Sequence, residues 1–227
     1  PYLGPWLSEN LDCEALSSHW ITPPLPRLGG VAINTCLLLR DPVERMRSVY
    51  QFERQQQDVD TPGSIRAKQM TFAEYMAWQM EPMPGPVVKN YQTRYCSGQY
   101  LGEDLPAMYE RAVQWLDSSR TLGLVHRYDE SMVLFEFQLK PHFPQLDLSY
   151  RKQNVLSDES ASFEARRASV LEDLEDIAET VLAANDFDLR LFAHAQSRFD
   201  ALLAEVPDLQ QRLDEFQQRN HLLQVQA

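Results

Sequence analysis

Residues 31–50 read VAINTCLLLRDPVERMRSVY, a mostly apolar run followed at once by a helix-start signal. The first nine of these residues predict a buried strand of the kind found in parallel sheets. Cys36, inside the apolar run, is predicted to be a core residue. Asp41 is a good N-cap and Pro42 suits the first helical position, so we expect a helix over 42–56.

Outward from this stretch, helical and strand-like patterns alternate along the chain. Residues 57–70 are expected to be a polar connection, and the helix after Asp129 is expected to take that residue as its N-cap. The remaining predicted elements are helices over 71–80, 105–118 and 129–139, a short strand over 122–125, and a last third that is helical. This order predicts an α/β fold with a parallel sheet flanked by helices. Ligands of such sheets bind at the carboxyl ends of the strands.

The bulk composition is that of a globular domain. The chain has 227 residues, of which 44% are apolar and 24% charged, and it contains no apolar run near the roughly 20 residues that cross a bilayer. It starts at Pro1 without a Met or a secretory signal, so the natural N-terminus is expected upstream. We predict one domain over 1–205 and a helical tail over 206–227 that docks onto it.

Charge and cysteine content exclude several classes of function. A net charge of −12 argues against nonspecific binding to nucleic acid or to an anionic membrane, although a local basic pocket remains possible. The three cysteines are widely spaced, which is neither a disulfide framework nor a metal motif, and a reducing compartment fits them best. No cluster of residue types suggests a required metal ion.

Arg40 follows the apolar strand directly and precedes the helix start. The free N-terminal amides of a helix favour an anion, and a guanidinium holds a phosphate through two hydrogen bonds. Ser48 lies about 10 Å further along the helix, so one phosphate contacts both side chains only if it lies beside the helix. The competing interpretation is that Arg40 pairs with an acidic neighbour and that Ser48 is incidental.

Residues 38–50 resemble the 3′-phosphate-binding signature of sulfotransferases that use 3′-phosphoadenosine-5′-phosphosulfate (PAPS). The variant R-D-P-V-E-R-x-x-S-x-Y is similar to that of glycan O-sulfotransferases and their bacterial relatives. The resemblance implies that Arg40 and Ser48 bind the 3′-phosphate of PAPS. It also implies a P-loop-NTPase-like parallel sheet flanked by helices, with a helical C-terminal third.

Four further stretches support the resemblance. Residues 89–98, KNYQTRYCSG, are similar to an N-x-Q-T-R element of the family, which implies site roles for Gln92 or Arg94. Residues 151–155 correspond in order to a family loop that closes over PAPS, so Lys152 could reach a phosphate. Residues 123–131 and 185–192 resemble family segments more loosely. The simpler interpretation of these charged residues is a solvated surface.

One element of the family is absent from this sequence. The family begins with a strand and a P-K-T/S-G-T-T/S loop that holds the 5′-phosphosulfate, and no such loop occurs here. Either that segment lies upstream or the protein is an inactive sulfotransferase-like binding or scaffold protein. A nucleoside-phosphate kinase would need a G-x-x-x-x-G-K-[S/T] loop, which is also absent.

The predicted reaction moves a sulfo group from PAPS to an acceptor hydroxyl, leaving adenosine 3′,5′-bisphosphate. His19 is the predicted general base, because related enzymes carry a G-H element there and histidine titrates near neutral pH. The alternative is an ordinary loop histidine. A small-molecule or glycan acceptor is expected, in a cytoplasmic bacterial enzyme rather than in a Golgi lumenal one. The sequence does not predict an oligomeric state.

Overall fold

The structure is a computed structural model of the protein, and it describes residues 3–18, 21–57, 60–82, 85–99, 101, 104–151 and 161–225. The fold of this part is mixed α/β and mostly helical. The elements in chain order are α1 (Leu3–Glu9), β1 (Leu37–Leu39), α2 (Pro42–Gln55), α3 (Pro62–Gln69), α4 (Phe72–Met80), α5 (Tyr91–Ser97), α6 (Leu105–Ser118), β2 (Leu122–Leu124), α7 (Tyr128–Leu139), α8 (Phe163–Glu172), α9 (Ala178–Ala183), α10 (Asp186–Leu203) and α11 (Leu209–Val225).

The sheet in the described residues consists of β1 and β2, paired in parallel with Leu38 opposite Gly123. The predicted strand over 31–39 is therefore only three residues long. Val31 and Ile33 are 41% and 36% exposed. Cys36 is exposed too, so its prediction as a core residue was wrong. The reason is that, in the parallel register, residues before Leu37 would have to pair with residues before Leu122, and that part of the chain is occupied by the end of α6 at Ser118 and a short connection.

Local end signals account for several helices. Asp41 caps α2 by accepting hydrogen bonds from the N–H groups of Val43 and Glu44, as predicted. Thr71 and Glu74 form the predicted capping box of α4.

Two expectations about loops and caps were wrong. The stretch 57–70 contains α3, because Thr61 caps a helix start with proline at the first position. Asp129 lies in the first turn of α7 instead of capping it, and Arg127 occupies the N-cap position. The carboxylate of Asp129 instead accepts a hydrogen bond from the Tyr150 hydroxyl at 2.9 Å.

Two apolar clusters form the core. One surrounds the sheet and is built by residues of β1, β2, α6, α7, α10 and α11. The other joins α2 and α4 to the α8–α9 region. Helix α2 begins at the carboxyl end of β1 and packs into the second cluster. The exposed flank of α2 and the end of β1 both border one groove.

Candidate anion-binding groove

A groove of about 470 Å³ lies between α2 and α5, with β1 as its floor. We call it the α2–α5 groove. Its lining residues come from the end of β1, the flank of α2 and the first turns of α5: Cys36, Leu37, Leu38, Leu39, Arg40, Arg45, Ser48, Val49, Phe52, Tyr91, Gln92 and Tyr95. The structure thus brings together three of the predicted site residues, Arg40, Ser48 and Gln92.

The α2–α5 groove is basic although the whole protein is acidic. Among the residues that the structure describes, its lining contains the guanidinium groups of Arg40 and Arg45 and no carboxylate, whereas the chain carries a net charge of −12. A concave site with charges of one sign raises the local concentration of counter-ions. The groove therefore favours a small anionic ligand.

Arg40 has an unusual environment for a half-buried arginine. Burial lowers the pKa of its guanidinium, and the negative charge of Glu44 partly opposes this effect. Glu44 itself is engaged by Arg166, whose Nε lies 2.8 Å from a carboxylate oxygen. Within the described residues, we find no hydrogen bond or ion pair to the Arg40 guanidinium. The interpretation that it pairs with an acidic neighbour is therefore not supported, and an anion in the groove would compensate this desolvated charge.

The Asp41 carboxylate occupies the tip of α2, so the flank of this helix is the part that borders the groove. The sequence suggested that the first amides of this helix are free, but the Asp41 carboxylate accepts from two of them at 3.0 Å. The second oxygen of Asp41 faces Arg167 at 3.3 Å. Ser48 lies two turns along the flank of α2 and lines the groove, so the flank is where Arg40 and Ser48 face a shared volume.

Aromatic side chains form the opposite wall. The rings of Tyr91 and Tyr95 on α5 stack with centroids 6.2 Å apart. Arg45 lies over Tyr91 at 3.8 Å and donates a hydrogen bond to the Val87 carbonyl at 2.7 Å, which ties α2 to the start of α5. Sequence reasoning missed this wall because residues 87–100 received no helix; a helix there would have placed the two tyrosines one turn apart on one face.

The other predicted site residues lie elsewhere or outside the described part. Arg94 does not line the groove, and its Nε donates to the Lys89 carbonyl at 3.3 Å. His19 and Lys152 lie outside the described residues, so their predicted roles stay predictions. Arg151, at the edge of the described part, is exposed.

Two wider features concern the whole described chain. No helix in those residues combines the length and apolar character that a membrane span requires. Among the same residues, no group of three or more histidine, cysteine, aspartate or glutamate side chains is arranged to hold a metal ion.

The chain is similar to a protein of Archaeoglobus fulgidus that is described as uncharacterized. The two are 25% identical over 192 residues, which cover 82% of this chain and 76% of the archaeal protein. No protein-family model matches the chain, and no solved structure matches it.

Proposed function

We propose that this protein is a sulfotransferase that uses PAPS and sulfates a hydroxyl group on a carbohydrate or small-molecule acceptor. The observation that carries the proposal is the half-buried Arg40 guanidinium: within the described residues it makes no ion pair, and the groove that it lines contains no carboxylate. The resemblance of residues 38–50 to the sulfotransferase signature suggests which anion this is, the 3′-phosphate of the nucleotide.

The residues of the α2–α5 groove fit a nucleotide of this kind. Arg40 can hold a phosphate through two charge-assisted hydrogen bonds, and the Ser48 hydroxyl can donate a third. Phe52 of α2 lines the same groove as the two tyrosines of α5 and is largely exposed. Aromatic faces of this kind stack on nucleotide bases, so the groove offers both a phosphate site and a surface for adenine.

The proposed chemistry is sulfo-group transfer. PAPS supplies the activated sulfo group: its sulfur–oxygen bond to the bridging oxygen breaks, a bond to the acceptor oxygen forms, and adenosine 3′,5′-bisphosphate leaves. The described residues bind and orient the nucleotide, and His19 is the proposed acceptor of the hydroxyl proton. The parallel β1–β2 pair, with its anion-binding arginine where β1 meets α2, supports the proposal of a P-loop-NTPase-like sheet.

A second candidate is a nucleotide-binding protein without turnover. It differs from the enzyme in needing no 5′-phosphosulfate loop, and no stretch of residues 1–227 resembles that loop. Nucleotide binding is common to both candidates. Transfer of labelled sulfate from PAPS to a panel of sugars and small hydroxyl compounds separates them.

Calorimetric titration with adenosine 3′,5′-bisphosphate tests the proposal. We expect Arg40→Ala to weaken binding on the order of a hundredfold, since a charged, two-pronged phosphate contact contributes a few kcal/mol. Adenosine 5′-phosphate, which lacks the 3′-phosphate, should be nearly insensitive to the same substitution. This difference between the two ligands assigns the 3′-phosphate to Arg40.

Arg47→Ala is the matched control. Arg47 lies on the same helix and the change removes the same charge, but Arg47 pairs with Asp173 and does not line the groove. We expect its affinity to stay within about threefold of the parent, because a screened surface charge changes binding little. Equal losses of affinity in Arg40→Ala and Arg47→Ala would mean that only the net charge of the protein matters, and not a contact made by Arg40. Absence of binding by the folded parent protein would contradict the proposal.

A further inference from the structure

The side-chain amide of Gln92 forms hydrogen bonds with both backbone groups of Arg40, its N–H and its carbonyl. The Arg40 N–H donates to Gln92 Oε1 at 3.0 Å, and Gln92 Nε2 donates to the Arg40 carbonyl at 2.9 Å. This is the bonding that a neighbouring strand would supply, and here a buried side chain of α5 supplies it where β1 ends. The backbone from which the Arg40 guanidinium extends is therefore fixed by Gln92.

Gln92 is in turn fixed by a carboxylate from a distant part of the chain. Asp188, in the first turn of α10, accepts hydrogen bonds from the N–H groups of Gln92 at 3.0 Å and Thr93 at 2.7 Å. These are first-turn amides of α5 that have no partner within their own helix. The N-cap residue of α5, Asn90, has a left-handed backbone and makes no side-chain cap, so Asp188 caps α5 from α10.

Two asparagines complete the junction between α5 and α10. The Asn90 N–H donates to Asn185 Oδ1 at 3.1 Å, and the Asp188 N–H donates to Asn90 Oδ1 at 3.1 Å. Asn90 Nδ2 also donates to the Ala184 carbonyl at 2.9 Å. Because all three polar residues are buried, the two helix starts cannot shift independently without leaving buried polar groups unpaired.

The pair of oxygens on Asp188 is what this junction requires. Burial raises the pKa of the carboxyl, while the N–H groups of Thr93 and Gln92 and the positive charge of Arg45 oppose the rise. A carboxylate offers two acceptor oxygens to two diverging amides, whereas an asparagine amide offers one acceptor and one donor. Asp188→Asn is therefore a change of nearly equal shape that disturbs one of the two capping bonds.

We propose that Asp188 is a positioning residue for the anion site, acting through the first turn of α5 and the Gln92 side chain on the backbone of Arg40. Asp188 does not line the α2–α5 groove, so its effect on a ligand there is indirect. The part of the inference that concerns nucleotide affinity rests on the proposed function. The part that concerns the Arg40 backbone does not.

Amide hydrogen exchange at Arg40, measured by nuclear magnetic resonance on the ligand-free full chain, tests the second part. Gln92→Ala removes the acceptor of the Arg40 N–H, and Asp188→Asn loosens the element that carries Gln92. We expect the exchange rate of the Arg40 amide to rise at least about tenfold in both variants, because each variant loses or weakens about one hydrogen bond that protects this amide. The Leu37 amide, which donates to the carbonyl of Thr121 just before β2, should keep its protection.

Gln79→Ala is the matched control. Gln79 is a buried glutamine of α4 whose Nε2 donates to the Tyr75 hydroxyl at 2.8 Å, within the other apolar cluster. Its loss should lower thermal stability to a similar degree as Gln92→Ala and leave exchange at Arg40 unchanged. Affinity for adenosine 3′,5′-bisphosphate should fall on the order of tenfold in Gln92→Ala and Asp188→Asn but not in Gln79→Ala.

The possible results separate the two proposals. If the parent does not bind the nucleotide while the Arg40 amide responds to both substitutions, the proposed function fails and the positioning role stands. If folded Asp188→Asn keeps both the parent exchange rate at Arg40 and the parent affinity, the positioning role is overturned. Should Asp188→Asn not fold, unchanged exchange at Arg40 in Gln92→Ala overturns the role equally well.

Discussion

Glu136 of α7 is a buried carboxylate that joins three parts of the chain, so we expect its replacement to lower the stability of the fold measurably. It is 6% exposed and accepts hydrogen bonds from Lys140 Nζ at 2.8 Å, from the Leu148 N–H at 2.9 Å and from Arg219 Nη2 at 2.8 Å. Arg219 belongs to α11, so this carboxylate ties the C-terminal helix and the segment around Leu148 to α7. Its replacement should loosen both attachments.

The expected cost of Glu136→Ala follows from these partners. The Leu148 N–H loses its acceptor, which costs about 1–3 kcal/mol where water cannot replace it. Lys140 and Arg219 have side chains that are 40% and 34% exposed, so solvent screens each ion pair, and each adds only about 0.5 kcal/mol. The free energy of unfolding should therefore fall by about 2–4 kcal/mol, and Tm by roughly 4–16 °C for a chain of this size.

Urea denaturation followed by far-ultraviolet circular dichroism measures this loss. Glu136→Gln, which keeps one acceptor oxygen, should lose about half as much free energy as Glu136→Ala. Glu205→Ala is the matched control, since its carboxylate pairs with Arg120 where both side chains are exposed, and it should cost less than about 1 kcal/mol. Equal, small losses in Glu136→Ala and Glu205→Ala would refute the reasoning that burial makes this carboxylate important.

Three further substitutions test separate features of the fold. Gly98 has φ +72°, and a Cβ there would lie 1.8 Å from the Pro23 carbonyl oxygen, so Gly98→Ala should lower the free energy of unfolding by at least about 2 kcal/mol. Gly85 has φ +77° but open space around it, so Gly85→Ala should cost only about 1 kcal/mol. Thermal unfolding of the two variants compares these losses. Burial lowers the pKa of His126 below its ordinary value of 6.5, although the charge of Glu44 opposes this shift. Because the unfolded chain then takes up this proton at a higher pH than the folded chain, stability should fall as the pH drops below about 6.5. Denaturation midpoints at pH 7 and pH 5 should differ less in His126→Phe than in the parent protein. Thr71→Ala removes the side-chain cap of α4 and should cost about 1 kcal/mol by urea denaturation, and an unchanged midpoint would show that this cap does not contribute.

Helix starts were the features that local sequence predicted best. The Asp41–Pro42 pair predicted the beginning of α2, and the capping box at Thr71 predicted α4, because these signals act within one helical turn. The same logic was available for Thr61–Pro62, which begins α3 inside a stretch interpreted as a connection. That error came from giving polar composition more weight than the cap signal.

Strand extent and burial could not be read from the apolar run. Hydrophobicity over 31–39 predicted a long buried strand, but pairing requires a partner, and β2 supplies only three residues. Cys36 is exposed because the described chain places no element over that edge of β1, which instead borders the α2–α5 groove. Apolar composition predicts a preference for burial, and only tertiary contacts decide whether burial occurs.

The candidate site divides in the same way. The sequence by itself determined that Arg40 follows a strand and that Ser48 lies on the flank of the next helix, since residue type and helical rise act locally. Only the tertiary structure decided that Arg166 engages Glu44, and that α5 closes a groove whose described lining residues include no carboxylate. Those outcomes depend on α8, α5 and α10, whose residues lie about 50 to 150 positions away from Arg40 along the chain. No local pattern specifies such distant partners, because the free energy that selects them comes from packing the whole core.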